Sequence, residues 1–508
     1  MKHRRILSGL AALLLLANLP VSALAAEWDI GNGDITVNAG SGGQTVTQGS
    51  QVDVPDSAPV ITGSSTENTV TINAEKDQTA SVTLSGANID GSTKGNAAVS
   101  TTGEGNVSIE LDGDNTLKSG KGHAGLEKKN GGKLTIADED KNGKLTAEGG
   151  KYGAGIGGGD QGAGSGITIT GGEIKATGGQ YGAGIGGGKG DGSDITISGG
   201  EVNATGGTSG AGIGGGYNGN GSDITITDGE VNATGGKYGA GIGGGEYGIG
   251  KDIIITGGEV NATGGRFSAG MGGGSRGTGS DITISGGEVN ASGGVNGAGI
   301  GGGLRSKGKD ITVSGDTKLK VQGGDEDHYD GAGAGIGDGG CNAYGTKILG
   351  AEVEPDTSGL TTGRIEYYAP GADMDKDAPS QTIVGTYIPP QPAREAAAPA
   401  QPTAPLYCVT DGDGKDVSYE TTWRDGVLTV TVEADRAVLT GRLSGIASLQ
   451  AQGIERIVFI TKGATSEFLT ADLLAAAPAM ERYALTHDGE TVTFTAGEAD
   501  VSGILVKA

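Results

Sequence analysis

The chain has 508 residues, of which 107 are Gly and only 4% are aromatic, and its formal net charge is −25. That length leaves room for two or three domains, but so few rings exclude a conventional globular core over most of it. The charge argues against nucleic acid and anionic membranes, which attract basic proteins, and leaves cations, neutral glycans or acidic glycans bridged by metal as partners.

The chain opens on Lys2, His3, Arg4 and Arg5, followed by an apolar run from Ile6 to Leu19 and then Ala23-Leu24-Ala25. A basic start, an apolar stretch and a small-x-small site define an expected signal peptide over residues 1–26. No Cys follows the apolar run, which excludes a lipoprotein signal. No later run reaches the ~18 apolar residues of a membrane-spanning helix. The protein is therefore expected to be secreted or associated with the cell surface, as a monomer.

Residues 27–150 hold alternating runs such as Asp34-Ile35-Thr36-Val37, Val70-Thr71-Ile72, Val82-Thr83-Leu84 and Val107-Ser108-Ile109 at irregular spacing. They read as worn coils that cap a solenoid. From residue 151 to 350 the spacing becomes regular. GAGIGGG or a close variant begins at Gly153, Gly182, Gly210, Gly239, Ser268 and Gly297, a 29-residue period with a single 28. Such a period means stacked structural units. Each unit carries short alternating pieces like Ile195-Thr196-Ile197 and Val202-Asn203-Ala204, too short for helices and rich in β-branched residues. The predicted fold is mainly β: a parallel, right-handed β-helix with coils of about 29 residues stacked roughly 4.8 Å apart. Glycine is expected at corners and close approaches.

Residues 351–403 read as a Pro/Ala-rich linker. Residues 404–508 have ordinary composition and read as a small α+β module. Its expected strands are Val427–Val432, Arg456–Ile460 and Thr491–Phe494, and its expected helices Leu443–Gln452 and Phe468–Ala477. Cys341 and Cys408 flank the linker; a disulfide after export and two free thiols are both open.

Because the repeat is regular, its polar residues form columns. Asp194, Asp223, Asp252, Asp281 and Asp310 make one, with Gly166 in the first coil; Glu173, Glu201, Glu230, Glu259 and Glu288 make a second; Asn203, Asn232, Asn261 and Asn290 a third. With Val202 and Ala204 inward, Glu201, Asn203 and Thr205 must face out. Carboxylates ~4.8 Å apart repel by roughly 1 kcal/mol per pair in water, which Ca²⁺ bound along the Asp column would offset. The alternative is that each Asp caps a corner and each Glu is a solvated charge that discourages edge pairing. Tyr152, Tyr181, Tyr238 and Phe267 precede the Gly motif, with Ser209 and Asn296 interrupting. Beside the Asn column, such rings can stack on sugars or simply cover the corner. The acidic loop Asp325–Asp330, with His328, breaks the repeat and is a candidate metal site or a solvated loop.

GAGIGGG…DITISGGEVNATGG, preceded by NVSIELDGDNTL at Asn106–Leu117, resembles exported Gly-rich β-helix proteins of Gram-positive gut-type bacteria. Some of these are described as carbohydrate-binding domain proteins. The resemblance covers roughly residues 60–340 and implies polysaccharide binding at the cell surface, with Ca²⁺ as a candidate cofactor; it transfers no single binding residue. The expected function is thus a non-catalytic glycan binder. A structural or adhesive spacer presenting the C-terminal module is the alternative. A polysaccharide lyase or hydrolase is disfavoured because repeated columns offer no unique acid/base constellation.

Overall fold

The computed structural model describes residues 26–343, 346–385 and, apart from 412–414, 416, 425, 452, 478, 479, 481 and 498, residues 407–506. The expected signal peptide and the Pro/Ala tract lie outside the described residues. The chain forms two compact units, Met1–Pro389 and Pro390–Ala508.

The first unit is a parallel β-solenoid built from a 21-stranded and a 13-stranded sheet. One coil contributes Gly192–Thr205 to the larger sheet and Ile213–Gly214 to the smaller. The next coil lays Gly221–Thr234 and Ile242–Gly243 on top, in parallel and in register. Ile195 meets Ile224, Val202 meets Val231, and Asn203 meets Asn232. Identical residues therefore stack into the columns that the period predicts. Ile195, Ile197, Val202, Ala204, Ala211 and Ile213 are at most 1% exposed, whereas Glu201 and Thr205 are exposed and Asn203 half-buried. Each buried Ile contributes about 1.5–3 kcal/mol, so apolar stacking carries the fold without aromatic rings.

The third side of the coil is narrow, and that is why it needs glycine. At Gly210 an added Cβ would overlap the carbonyl oxygen of Gly182 one coil below. Side chains would hold the coils apart there.

Both ends depart from parallel stacking. At the N-terminal end Ile35–Gly40 pairs antiparallel with Gly43–Gln48, which pairs with Gln51–Pro55. At the other end Arg364–Tyr368 stacks parallel on Lys318–Gln322, and Gln381–Val384 closes antiparallel against it. Residues 351–385 are thus not linker, as expected, but a further rung and its cap. Ile365 is fully buried and Tyr367 packs against the same core. Antiparallel terminal strands cover edges that would otherwise template association.

The second unit has a five-stranded antiparallel sheet and a four-stranded sheet, with helices Leu443–Ala451 and Thr470–Ala476. In the four-stranded sheet Val427–Thr431 and Arg456–Ile460 pair in parallel. Phe459, Phe468 and Phe494 are the largest buried side chains of its core. Phe468 was expected in a helix but lies in the strand Thr465–Leu469, paired with Ile457; the helix begins only at Thr470. A sheet edge beside it overrides the local helical pattern. Among the described residues no helix is long and apolar enough to cross a membrane.

Candidate functional site

Asp194, Asp223, Asp252, Asp281 and Asp310 share one backbone state, with φ between 50° and 55°. Gly166, their counterpart in the first coil, has φ 67°. Each is skipped by the pairing: Ser165 meets Ser193 and Ile167 meets Ile195, leaving Gly166 and Asp194 between them. The column is a line of left-handed kinks where the strand turns, and Asp tolerates that region better than most residues. Lys251 bonds Asp252 at 2.8 Å and Lys309 bonds Asp310 at 2.6 Å. A groove of about 720 Å³ lies between Asp252, Asp281 and Asp310 on one side and Val353, Glu354 and Asp356 on the other. Among the described residues no three His, Cys, Asp or Glu are grouped to hold a metal ion. The recurrence of Asp thus has a conformational cause. We expect Asp223→Gly to leave stability within about 0.5 kcal/mol, and Asp223→Val to cost about 1–2 kcal/mol, read by urea denaturation with and without EDTA. Stability that EDTA removes from the parent protein but not from Asp223→Gly would instead mark the column as a metal site.

The Glu column is bounded by cations. Glu173 pairs with Lys144 at 2.7 Å and Glu288 with Lys318 at 3.7 Å, one rung beyond each end. The Glu173 carboxylate raises the pKa of the Lys144 ammonium. The exposed Glu side chains between them read as the solvated face.

The Asn side chains form an amide ladder. Asn232 Nδ2 donates to Asn203 Oδ1 at 3.1 Å, Asn261 to Asn232 at 2.9 Å and Asn290 to Asn261 at 2.7 Å. Asn203 Nδ2 donates to Glu201 Oε1 at 3.0 Å. These outward amides, the expected sugar contacts, link the coils to one another. Parallel in-register stacking makes such ladders natural, as it does in cross-β assemblies.

The aromatic residues gather along another side of the coil and run across successive rungs. Tyr152 stacks on Tyr181 with centroids 5.3 Å apart and planes 15° apart, and Tyr238 stacks on Phe267 at 5.8 Å and 12°. Two residues that sequence reading missed extend the array. Tyr217 contacts Tyr181 edge-on at 5.5 Å and Tyr247 contacts Tyr217 at 6.2 Å. Both follow the Gly motif in the next loop, and the Tyr217 N–H bonds the Tyr181 carbonyl at 2.8 Å, which brings the two loops together. Their position one or two residues after GIGGG is a signal that could have been used. The interrupting residues are buried: Ser209 bonds Glu246, and Asn296 donates to the carbonyls of Asp330 and Gly331.

Cations lie over these rings. Lys151 and Lys189 sit 5.3 and 5.2 Å from the centroid of Tyr152, Lys237 sits 4.7 Å from Tyr238, Arg266 sits 5.0 Å from Phe267, and Arg276 sits 5.9 Å from Tyr247. The ring quadrupole attracts each of them. The acidic loop is held by its own contacts. Asp327 Oδ1 accepts from the N–H groups of Tyr329 and Asp330, Asp330 forms a two-point pair with Arg305, and Glu326 bonds Lys347. Cys341 and Cys408 are free thiols.

A parallel β-solenoid with repeated outward columns is the class of protein these features define. Consistent with it, residues 141–160, 167–189, 195–217, 224–246, 253–275 and 282–304 match a family described as "Beta helix repeat". These matched segments carry the β-helix repeat, and that description specifies a repeat without a ligand or a source. Comparison with curated proteins and with solved structures gives no match.

Proposed function

We propose that this is a non-catalytic, exported β-helix protein that binds polysaccharide at the cell surface along its aromatic edge. The observation that carries the reading is the continuous array Tyr152–Tyr181–Tyr217–Tyr247, whose centroids follow one another at 5.3, 5.5 and 6.2 Å over successive coils. An extended polymer laid along the solenoid meets the same kind of contact at each rung, and many weak contacts sum through avidity. Tyr152 and Tyr181 turn faces toward each other, so the phenol hydroxyls and ring edges, rather than open ring faces, meet the sugar. The Asn column supports the scaffold and not the ligand. A Ca²⁺ bridge between the outward carboxylates and an acidic glycan is the metal-dependent alternative to binding along this edge.

The test is retention of the full mature chain by immobilised polysaccharides. Tyr217→Ser combined with Tyr247→Ser is expected to weaken retention by about tenfold or more while leaving the unfolding transition in place. Unchanged retention would move the site to another face. The self-bonded Asn ladder favours a second reading, a stiff spacer presenting the C-terminal module. That reading stands if the parent protein is retained by no polymer.

A further inference from the structure

The aromatic edge carries cations without partners in a chain that has carboxylates in excess, 61 Asp and Glu against 36 Lys and Arg. Elsewhere on the solenoid Lys144, Lys251, Lys309 and Lys318 each pair with a carboxylate. On the edge Lys189 reaches Asp160 at 3.8 Å, but Lys151, Lys237 and Arg276 are exposed, lie over rings at 4.7–5.9 Å, and have no carboxylate within ion-pair distance among the described residues. The hydroxyls of Tyr152, Tyr181, Tyr217, Tyr238 and Tyr247 likewise make no hydrogen bond within the described residues. An exposed cation in an acidic protein finds a carboxylate readily, so a line of unpaired cations beside unpaired hydroxyls is complementary to a ligand with both negative charge and oxygen acceptors.

From this charge complementarity we infer that the ligand of the aromatic edge is an anionic polysaccharide, bound directly by Lys151, Lys237 and Arg276 and without a bridging metal. The inference rests on the reading of that edge as the glycan site. Repeated acid groups along the polymer meet cations recurring along the axis, while the sugar hydroxyls meet the phenols. The strong net negative charge then disfavours the more densely charged nucleic acids, whose backbone carries one charge per roughly 1.7 Å in the duplex. The Glu and Asp columns on the other sides repel the same polymer and so confine it to this one edge.

The experiment compares polygalacturonate with its fully methyl-esterified form, which keeps the backbone and removes the charge. A sulfated glycan and a single-stranded DNA are included, all in EDTA, using affinity electrophoresis of the full mature chain. The expected result is retention by polygalacturonate that weakens at least about tenfold on esterification and falls as salt rises from about 50 to about 200 mM. Lys237→Gln with Arg276→Gln should lower binding of the acid form by about tenfold and leave binding of the ester and the unfolding midpoint unchanged. Equal or better retention by the sulfated glycan would identify sulfate rather than carboxylate as the anion, with the inference intact. Equal binding of acid and ester overturns the charge inference and leaves the glycan site standing. Binding that requires Ca²⁺, or equal binding of the DNA, overturns it as well. Retention by no glycan removes both the inference and the proposed function.

Discussion

Replacing Gly236 with Ala is expected to destabilise the solenoid by about 4 kcal/mol or more, although it adds a single methyl group. The backbone at Gly236 is not in the left-handed region, so conformation is not the obstacle. Space is the obstacle: the new Cβ would overlap the carbonyl oxygen of Gly207, one coil below, and Gly265 stands in the same relation to Gly236. Backbone cannot rotate aside as a side chain can, so the coils must part. Parting them breaks the parallel pairing of Glu201–Thr205 with Glu230–Thr234 and the bond from Asn232 to Asn203. Gly42→Ala is the control, since a Cβ there has nothing within 4 Å, and its effect should fall within about 0.5 kcal/mol. Urea denaturation reads the two stabilities. Hydrogen exchange should show the loss of protection centred on the coils either side of Gly236, because a solenoid's stability is a sum over neighbouring units. A small effect on both readouts would mean that the coil spacing yields more than the packed interior suggests.

The second unit should lose stability in acid through one side chain. His487 is fully buried, with Thr461 Oγ1 at 3.0 Å from Nδ1 and Ser466 Oγ at 2.8 Å from Nε2. Burial disfavours the imidazolium and lowers its pKa to about 4, from 6.5. The folded chain therefore binds the proton less readily than the unfolded chain, and stability rises with pH across this window. The contribution is fully present above pH 6.5, falls as the unfolded chain takes up a proton below it, and is exhausted near pH 4. Between pH 7.5 and pH 4.5 the loss should be about 2–3 kcal/mol. His487→Gln keeps a donor and an acceptor but does not titrate, so its stability should vary less over this range by that amount. Hydrogen exchange at Arg456–Ile460 and Arg482–Asp488, measured in both proteins at the two pH values, isolates the effect from the carboxylates. Equal pH dependence in parent and variant would show that His487 is not the group responsible.

The solenoid was legible because its cause is local and repeated. A period of 29 residues with alternating Ile, Thr and Val leaves one way to bury the apolar half of each piece, and the columns follow once coils stack in register. What each column does depends on partners in neighbouring coils. The Asn column reads as a row of free amides until in-register stacking places each amide against the next. The Asp column reads as a row of charges; only the backbone shows that it occupies kinks where Gly166 serves equally. Tyr217 joins the aromatic edge through a bond to Tyr181, 36 residues earlier by position, and no short-range pattern connects loops that meet across a coil boundary.

The same distinction explains the two elements that differed from expectation. Arg364–Tyr368 lacks the Gly motif, yet Lys318–Gln322 offers an open parallel edge and a core that accepts Ile365 and Tyr367. Phe468 carries a pattern compatible with helix, and the free edge of Arg456–Ile460 makes it a strand. Periodicity decides which residues are buried when each unit resembles its neighbour. Where the repeat ends, an available edge decides, and an edge exists only once the rest of the chain has folded.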